Sequence, residues 1–261
     1  MMRPADSGAA TPGYPRYFRL GGRWINSYKV FLCLGIYAGI LVSAGVAAES
    51  GISPLRLGAG LLLCAVAGMV GARVYHLALN FSAYRRAGLR ATAWDAQRGG
   101  WSVFGGLVVF PVSLAVAPML GIPVPVFWDH LALGIVVGGA FVRFGCVCNG
   151  CCVGRESRGW LALRQHDTAG VYRRRVPAQW LEIAWWLLAG LGLLWLWPRG
   201  FPAGSYALGV LAWYGLGRVW LEPLRAASDL LYGRVRVDRV VAALLAIVAG
   251  GGLLLLAARP Q

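Results

Sequence analysis

The sequence predicts an all-α integral membrane protein, a bundle of about seven transmembrane helices, and three observations predict it. Of its 261 residues, 58% are hydrophobic and only 13% are charged, against roughly 25% charged in an ordinary soluble domain. The mean hydropathy is +0.62. Seven apolar stretches approach the ~20 residues that a helix needs to cross about 30 Å of hydrocarbon. Such a composition excludes a soluble globular domain; lipid is the solvent.

Residues 1–29, with Pro4, Pro12, Gly13, Pro15, Gly21 and Gly22, read as a polar N-terminal tail with no fold of its own. The membrane domain covers 30–257, with spans at 30–48, 57–81, 101–121, 126–148, 178–197, 203–221 and 240–257, and 258–261 form a short tail. Val46-Ala47-Ala48 has the look of a signal-peptide cleavage site, but the apolar run before it is too long and the charged prelude too extended, so it reads as the first span. Gly35 and Gly39 in span 1, like Gly134 and Gly138 in span 4, are four apart, the small-xxx-small spacing that lets helix backbones approach closely.

The chain carries 25 Lys+Arg against 10 Asp+Glu, and every basic residue except Lys29 is arginine. Planar guanidinium forks match phosphate better than point charges do. Nucleic-acid binding would need a soluble basic face, which the spacing of the spans does not leave, so no nucleic acid is expected and anionic lipid headgroups are the partner. An odd number of spans sorts the connections onto two faces: nineteen of the basic residues fall on the N-terminal face, three on the other, and three inside spans, Arg73, Arg143 and Arg218. A charge at bilayer depth is costly and marks a polar interior or a partner. All three sit late in spans running toward the N-terminal face, so their guanidiniums are expected to converge there.

Acidic residues lie at the same level. Glu182 opens span 5 and Glu222 closes span 6; Arg218, Glu222 and Arg225 follow i, i+4, i+7 spacing, and Gln179 and Glu182 are i, i+3 neighbours, which places each set on one helix face. Singly, each charge reads equally as an ion pair holding the bundle together; as a cluster they read as a polar cavity open to headgroups. His76, His130 and His166 are scattered and read as satisfied interfacial residues. Cys33 and Cys64 lie in apolar runs and act as small apolar residues. Cys146, Cys148, Cys151 and Cys152 form a C-x-C-x-x-C-C array, which leaves zinc or copper binding or a redox pair open; the spacing is not a standard zinc pattern, and no metal or other cofactor is assigned.

Five stretches together resemble the prolipoprotein diacylglyceryl transferases. Residues 142–155, Val-Arg-Phe-Gly-Cys-Val-Cys-Asn-Gly-Cys-Cys-Val-Gly-Arg, resemble the family signature G-R-x-G-N-F-x-N-G-E-x-x-G-R and keep Arg143, Gly145, Asn149, Gly150, Gly154 and Arg155. Residues 175–182, Arg-Val-Pro-Ala-Gln-Trp-Leu-Glu, resemble R-H-P-S-Q-L-Y-E, and 214–225, from Tyr214 to Arg225, resemble Y-G-x-x-R-x-x-x-E-x-x-R. Gly99–Leu107 is similar to G-G-M-S-F-H-G-G-L, and Gly71-Ala72-Arg73 to the glycine and arginine of the family's second span.

The resemblance implies an enzyme of lipoprotein biosynthesis in the bacterial cytoplasmic (inner) membrane, moving a diacylglyceryl group from phosphatidylglycerol to a lipoprotein-precursor cysteine thiol. It implies Arg143, Arg218 and Glu222 as catalytic residues, and Arg73, Asn149, Gly154, Arg155, Gln179, Glu182 and Arg225 as substrate-binding ones. The chain departs from the pattern at Phe104 and Val176, where the family has histidine, and at Cys146 and Cys151, where it has asparagine and glutamate. These departures keep two rivals in view: an accessory lipid-binding paralogue without activity, and a thiol redox or metal protein. Charge bias alone puts the basic face in the cytoplasm; the resemblance puts it outside, and that orientation is the expectation.

Overall fold

In this computed structural model, residues 14–82, 85, 108–226, 231–232 and 235–258 are described. They form seven helices: α1 (Ser27–Gly45), α2 (Pro54–Leu79), α3 (Val109–Met119), α4 (Val124–Asn149), α5 (Ala178–Leu196), α6 (Ser205–Leu221) and α7 (Val237–Ala257). Each falls in one of the seven predicted stretches. Five are long and apolar enough to cross a membrane. The 17 residues of α6 span about 25 Å at 1.5 Å per residue, and α3 is the described part of the third stretch. Prolines open α2 and α4 in their first turn, where a missing N–H costs nothing.

The packing centres on α4, which lies against α1, α5 and α6, while α2 packs on α1 and α3. The two glycine pairs meet each other: Gly35 faces Gly138, and Gly39 faces Gly134. A methyl group on Gly35 would sit 2.8 Å from the Gly138 carbonyl oxygen, so only hydrogen fits. Leu133, Val136, Leu193, Trp197 and Val210 fill the space between α4, α5 and α6; Leu57, Leu61, Cys64, Ala117 and Phe127 fill that between α2, α3 and α4. Large apolar side chains such as Leu244, Ile247, Val248, Leu254 and Leu255 on α7 remain exposed, as a lipid-facing surface requires.

Asp129 and His130 of α4 carry polar groups into the bundle. Asp129 of α4 accepts from the Gly204 and Ala207 amides at 2.7 and 2.8 Å, capping the start of α6 from a neighbouring helix. Fully buried His130 places Nε2 3.1 Å from the Ser50 hydroxyl, while its Nδ1 has no hydrogen-bond partner among the described residues, so the histidine expected to be satisfied is satisfied at one nitrogen.

Three two-stranded hairpins lie outside the helices: β1 (Tyr17–Leu20) with β2 (Arg23–Asn26), β3 (Leu163–His166) with β4 (Tyr172–Arg175), and β5 (Leu231–Tyr232) with β6 (Val235–Arg236). The first corrects the expectation of an unstructured tail through residue 29. Gly21 and Gly22 both take positive φ, 53° and 78°, the two-residue turn that matches strand twist, and the aromatic and branched residues around it pair as strands. The hairpin runs directly into α1, because Asn26 accepts from the Tyr28 amide at 2.9 Å as its N-cap.

Candidate functional site

The site is built where α4 ends. Gly150 takes φ 72° as the C-cap of α4, and the chain turns through Cys151–Arg155 to lie beside the segment after α6. Gly154 bridges Arg225, the Arg155 amide donates to the Leu224 carbonyl at 2.8 Å, and the Ala226 amide donates to the Val153 carbonyl at 3.0 Å. Any side chain on Gly154 would collide with the Val176 carbonyl. The Gln179 amide, on the first turn of α5, donates to the carbonyls of Cys146 at 3.0 Å and Cys151 at 2.5 Å, and Asn149 accepts from Asn26 at 3.0 Å. The loop is thus pinned to α5, to the end of α6 and to the N-terminal hairpin.

Under this loop, arginines and carboxylates from three helices meet. Arg143 Nε of α4 is 2.6 Å from Glu182 Oε2 of α5, and Arg218 Nη1 of α6 is 4.0 Å from Glu182 Oε1. Arg218 is also 3.1 Å from Glu222, which lies 3.4 Å from Arg225 and 3.9 Å from Arg236. Glu222 is completely buried. Four guanidiniums therefore surround two carboxylates, a surplus of two positive charges. Several of these buried atoms, both Glu182 oxygens and Arg218 Nη1 among them, have no hydrogen-bond partner among the described residues, so the groups are close but not mutually saturated. Arg143, Glu182, Arg218, Trp185, Trp186 and Tyr214 line a narrow pocket of about 20 Å³, room for about one water. Trp185 stacks on Trp213 at 4.2 Å, and each indole N–H donates to the other residue's carbonyl.

Of the residues singled out by sequence, Arg143, Glu182, Arg218, Glu222 and Arg225 are brought together. Gln179 is buried behind them as a brace. Asn149 and Gly154 shape the loop, and the Arg155 side chain is exposed. Arg73 is buried in α2 and does not line the pocket, a correction to the expected convergence of three arginines: α2 packs on the α1 and α3 side of the bundle. Phe104, its motif 99–107 and residues 1–13 lie outside the described residues. Arg236 was not foreseen; it enters from the β5–β6 hairpin, and its only sequence signal was membership of a basic segment.

The thiols are also gathered. The sulfurs of Cys146, Cys151 and Cys152 lie within 4.8 Å of one another, while Cys148 is buried apart from them. Cys152 has φ 58°, the positive-φ non-glycine residue among those described. Hydrogen bonds from the Cys146 and Cys151 thiols, aided by Arg225 and Arg143, hold the Cys152 thiol well below its ordinary value. Beyond the pocket, Asp167 in the β3–β4 turn accepts from the Val171 and Ala169 amides at 3.0 and 2.9 Å and from Arg175 at 3.0 Å. Its carboxyl is held below the usual range, by the Val171 amide first.

A cluster of guanidiniums with surplus positive charge at a helix-bundle boundary, beside a braced loop, is suited to stabilise phosphate charge. The chain is also similar to known proteins. The family model described as prolipoprotein diacylglyceryl transferase matches residues 15–256. A phosphatidylglycerol–prolipoprotein diacylglyceryl transferase of Streptococcus equi subsp. zooepidemicus is 28% identical over 90% of this chain and 92% of its own. The protein of the same name in Parasynechococcus marenigrum is 26% identical over 96% of both chains, and that of Streptococcus pyogenes serotype M1 is 26% identical over 90% and 92%.

Proposed function

The chain belongs to the prolipoprotein diacylglyceryl transferase family, and we propose that it transfers the diacylglyceryl group of phosphatidylglycerol to a cysteine thiol of a lipoprotein precursor, at the cytoplasmic membrane of a bacterium. The observation that carries this reading is the meeting of Arg143 and Arg218 on Glu182 in one pocket, with a surplus of positive charge.

In the reaction, the precursor's thiolate sulfur attacks the glycerol carbon that bears the phosphate. A carbon–sulfur bond forms, the carbon–oxygen bond breaks, and glycerol phosphate leaves with the electron pair. Negative charge moves from sulfur to phosphate, and guanidinium forks are the groups suited to receive it. Arg143 and Arg218 grip the phosphate in this reading. The pocket holds about one water and Glu182 contacts both arginines, so a phosphate entering between them competes with that carboxylate.

The thiol proton needs an acceptor. Phenylalanine at position 104 holds none, and Glu222 or Glu182 takes that role. Arg225 holds Glu222, Gln179 braces the loop, and Asn149, Gly154 and Arg155 shape its rim over the headgroup. The basic face, in this reading, lies outside the cytoplasm, where precursors emerge.

The test is transfer by the purified chain in vesicles of phosphatidylglycerol, using a precursor peptide. A diacylglyceryl mass gain on the peptide cysteine is expected, absent when that cysteine is serine. No gain with intact, folded protein would overturn the proposal.

A further inference from the structure

We infer that Cys146, Cys151 and Cys152 form a thiolate site for one thiophilic d10 cation, zinc(II) or copper(I), at the edge of the cationic pocket. The spacing of these residues matches no standard zinc pattern; it is the fold that brings them together. Their sulfurs lie within 4.8 Å of one another. A metal with M–S bonds of about 2.3 Å holds its sulfurs roughly 3.8–4.0 Å apart, so closure needs a shift of at most about 1 Å. None of the three is in a disulfide.

The backbone is arranged for the cluster. α4 ends at Asn149, Gly150 turns the chain, and Cys152 occupies the left-handed region at φ 58°, a conformation that costs a non-glycine residue and is found where surrounding structure imposes it. That turn carries the sulfur of Cys152 back toward Cys146, six positions earlier. The Cys151 amide donates to the Cys146 carbonyl at 3.2 Å, and Gln179 holds the carbonyls of both. This is the outer-shell fixing that keeps metal ligands oriented.

Charge favours the filled site. Loading forms three metal–sulfur bonds and releases to solvent whatever protons the three sulfurs still carry. Three thiolates around zinc(II) carry one net negative charge, and around copper(I) two. The arginine cluster beside them has a surplus of two positive charges, Arg143 lying on the same α4 face as Cys146 and both Arg143 and Arg225 acting electrostatically on Cys152. Two of the three residues, Cys151 and Cys152, are only partly buried, the side from which a metal would enter.

The full chain, reduced and stripped of metal in detergent, is titrated with cobalt(II) as a spectroscopic stand-in for zinc, and separately with copper(I) buffered by a coloured chelator. One equivalent of either metal is expected, with a thiolate-to-cobalt charge-transfer band in the first case. Cys151→Ser should weaken binding more than about 100-fold, beyond what loss of an outer-shell partner costs; Cys148→Ser should leave it unchanged. Should the serine variants fail to fold, alkylation of the unsubstituted chain decides, with Cys151 and Cys152 protected by zinc. The inference is overturned by absence of the band together with copper(I) retention no higher than in the triple serine variant, or by equal alkylation with and without zinc. None of these readouts depends on lipid transfer.

Discussion

Arg143 and Arg218 should fail in different ways when each is replaced by glutamine. Glu182 is 2.6 Å from Arg143 and 4.0 Å from Arg218, whereas Glu222 has guanidiniums at 3.1, 3.4 and 3.9 Å. With an effective dielectric of about 20, the Coulomb attraction is about 6 kcal/mol at 2.6 Å and about 4 kcal/mol at 4.0 Å. Arg218→Gln thus leaves Glu182 its stronger partner and Glu222 two others. The fold survives, while one of the two phosphate forks is gone, and transfer should fall roughly 10²–10³-fold, the loss seen when one oxyanion donor is removed. Arg143→Gln leaves the buried Glu182 carboxylate only the more distant Arg218 at 4.0 Å, a loss of up to about 3–5 kcal/mol when a buried pair loses its close partner, so the protein should lose both transfer and thermal stability. Adding Glu182→Gln to Arg143→Gln should recover most of the stability and none of the rate. The checks are a thermal melt in detergent and initial transfer rates in phosphatidylglycerol vesicles. Equal melting of the two single variants, or transfer within threefold of the unsubstituted chain for Arg218→Gln, would refute the division of roles.

Phe104→His replaces a side chain that moves no proton with one that titrates near neutrality; transfer should rise several-fold, measured at saturating precursor, and an unchanged rate removes position 104 from the proton path. Asp167→Asn tests the β3–β4 turn. A carboxyl held below its ordinary value of about 3.9 stabilises the turn fully above that value and loses the contribution as pH falls through the lower folded value. The protection of the Val171 amide against hydrogen exchange, taken relative to the intrinsic rate at each pH, should therefore fall on acidification in the native chain and be lower and insensitive to acid in the asparagine variant. Gly35→Ala must push apart α1 and α4, since its methyl would lie 2.8 Å from the Gly138 oxygen; a loss of about 1–3 kcal/mol is expected, read as a lower melting temperature.

The spans were legible because each buries its own backbone hydrogen bonds, and a run of about 20 apolar residues has few other uses. Arg143, Arg218 and Glu222 were legible for the opposite reason: charge in such a run is expensive, so its position carries information. The same logic misplaced Arg73, because depth along a helix is readable and the side of the bundle it faces is not; that is decided by the packing of α2 on α1 and α3. The β1–β2 hairpin was signalled by Gly21-Gly22 between Tyr17-Phe18 and Trp24-Ile25, a pattern that glycine and proline counts in the tail obscured. The sulfur triad depends on a left-handed backbone at Cys152, for which the residue's identity gives no warning.

The paired indoles of Trp185 and Trp213 give the protein a built-in optical gauge. Two chromophores stacked at 4.2 Å and tilted by only 20° share their excited states, which produces a pair of circular-dichroism bands of opposite sign. Because one ring belongs to α5 and the other to α6, and Trp185 also forms a wall of the pocket, any sliding of these helices to admit a headgroup alters the amplitude of that couplet. Entry of lipid can therefore be timed in the unlabelled chain by light alone.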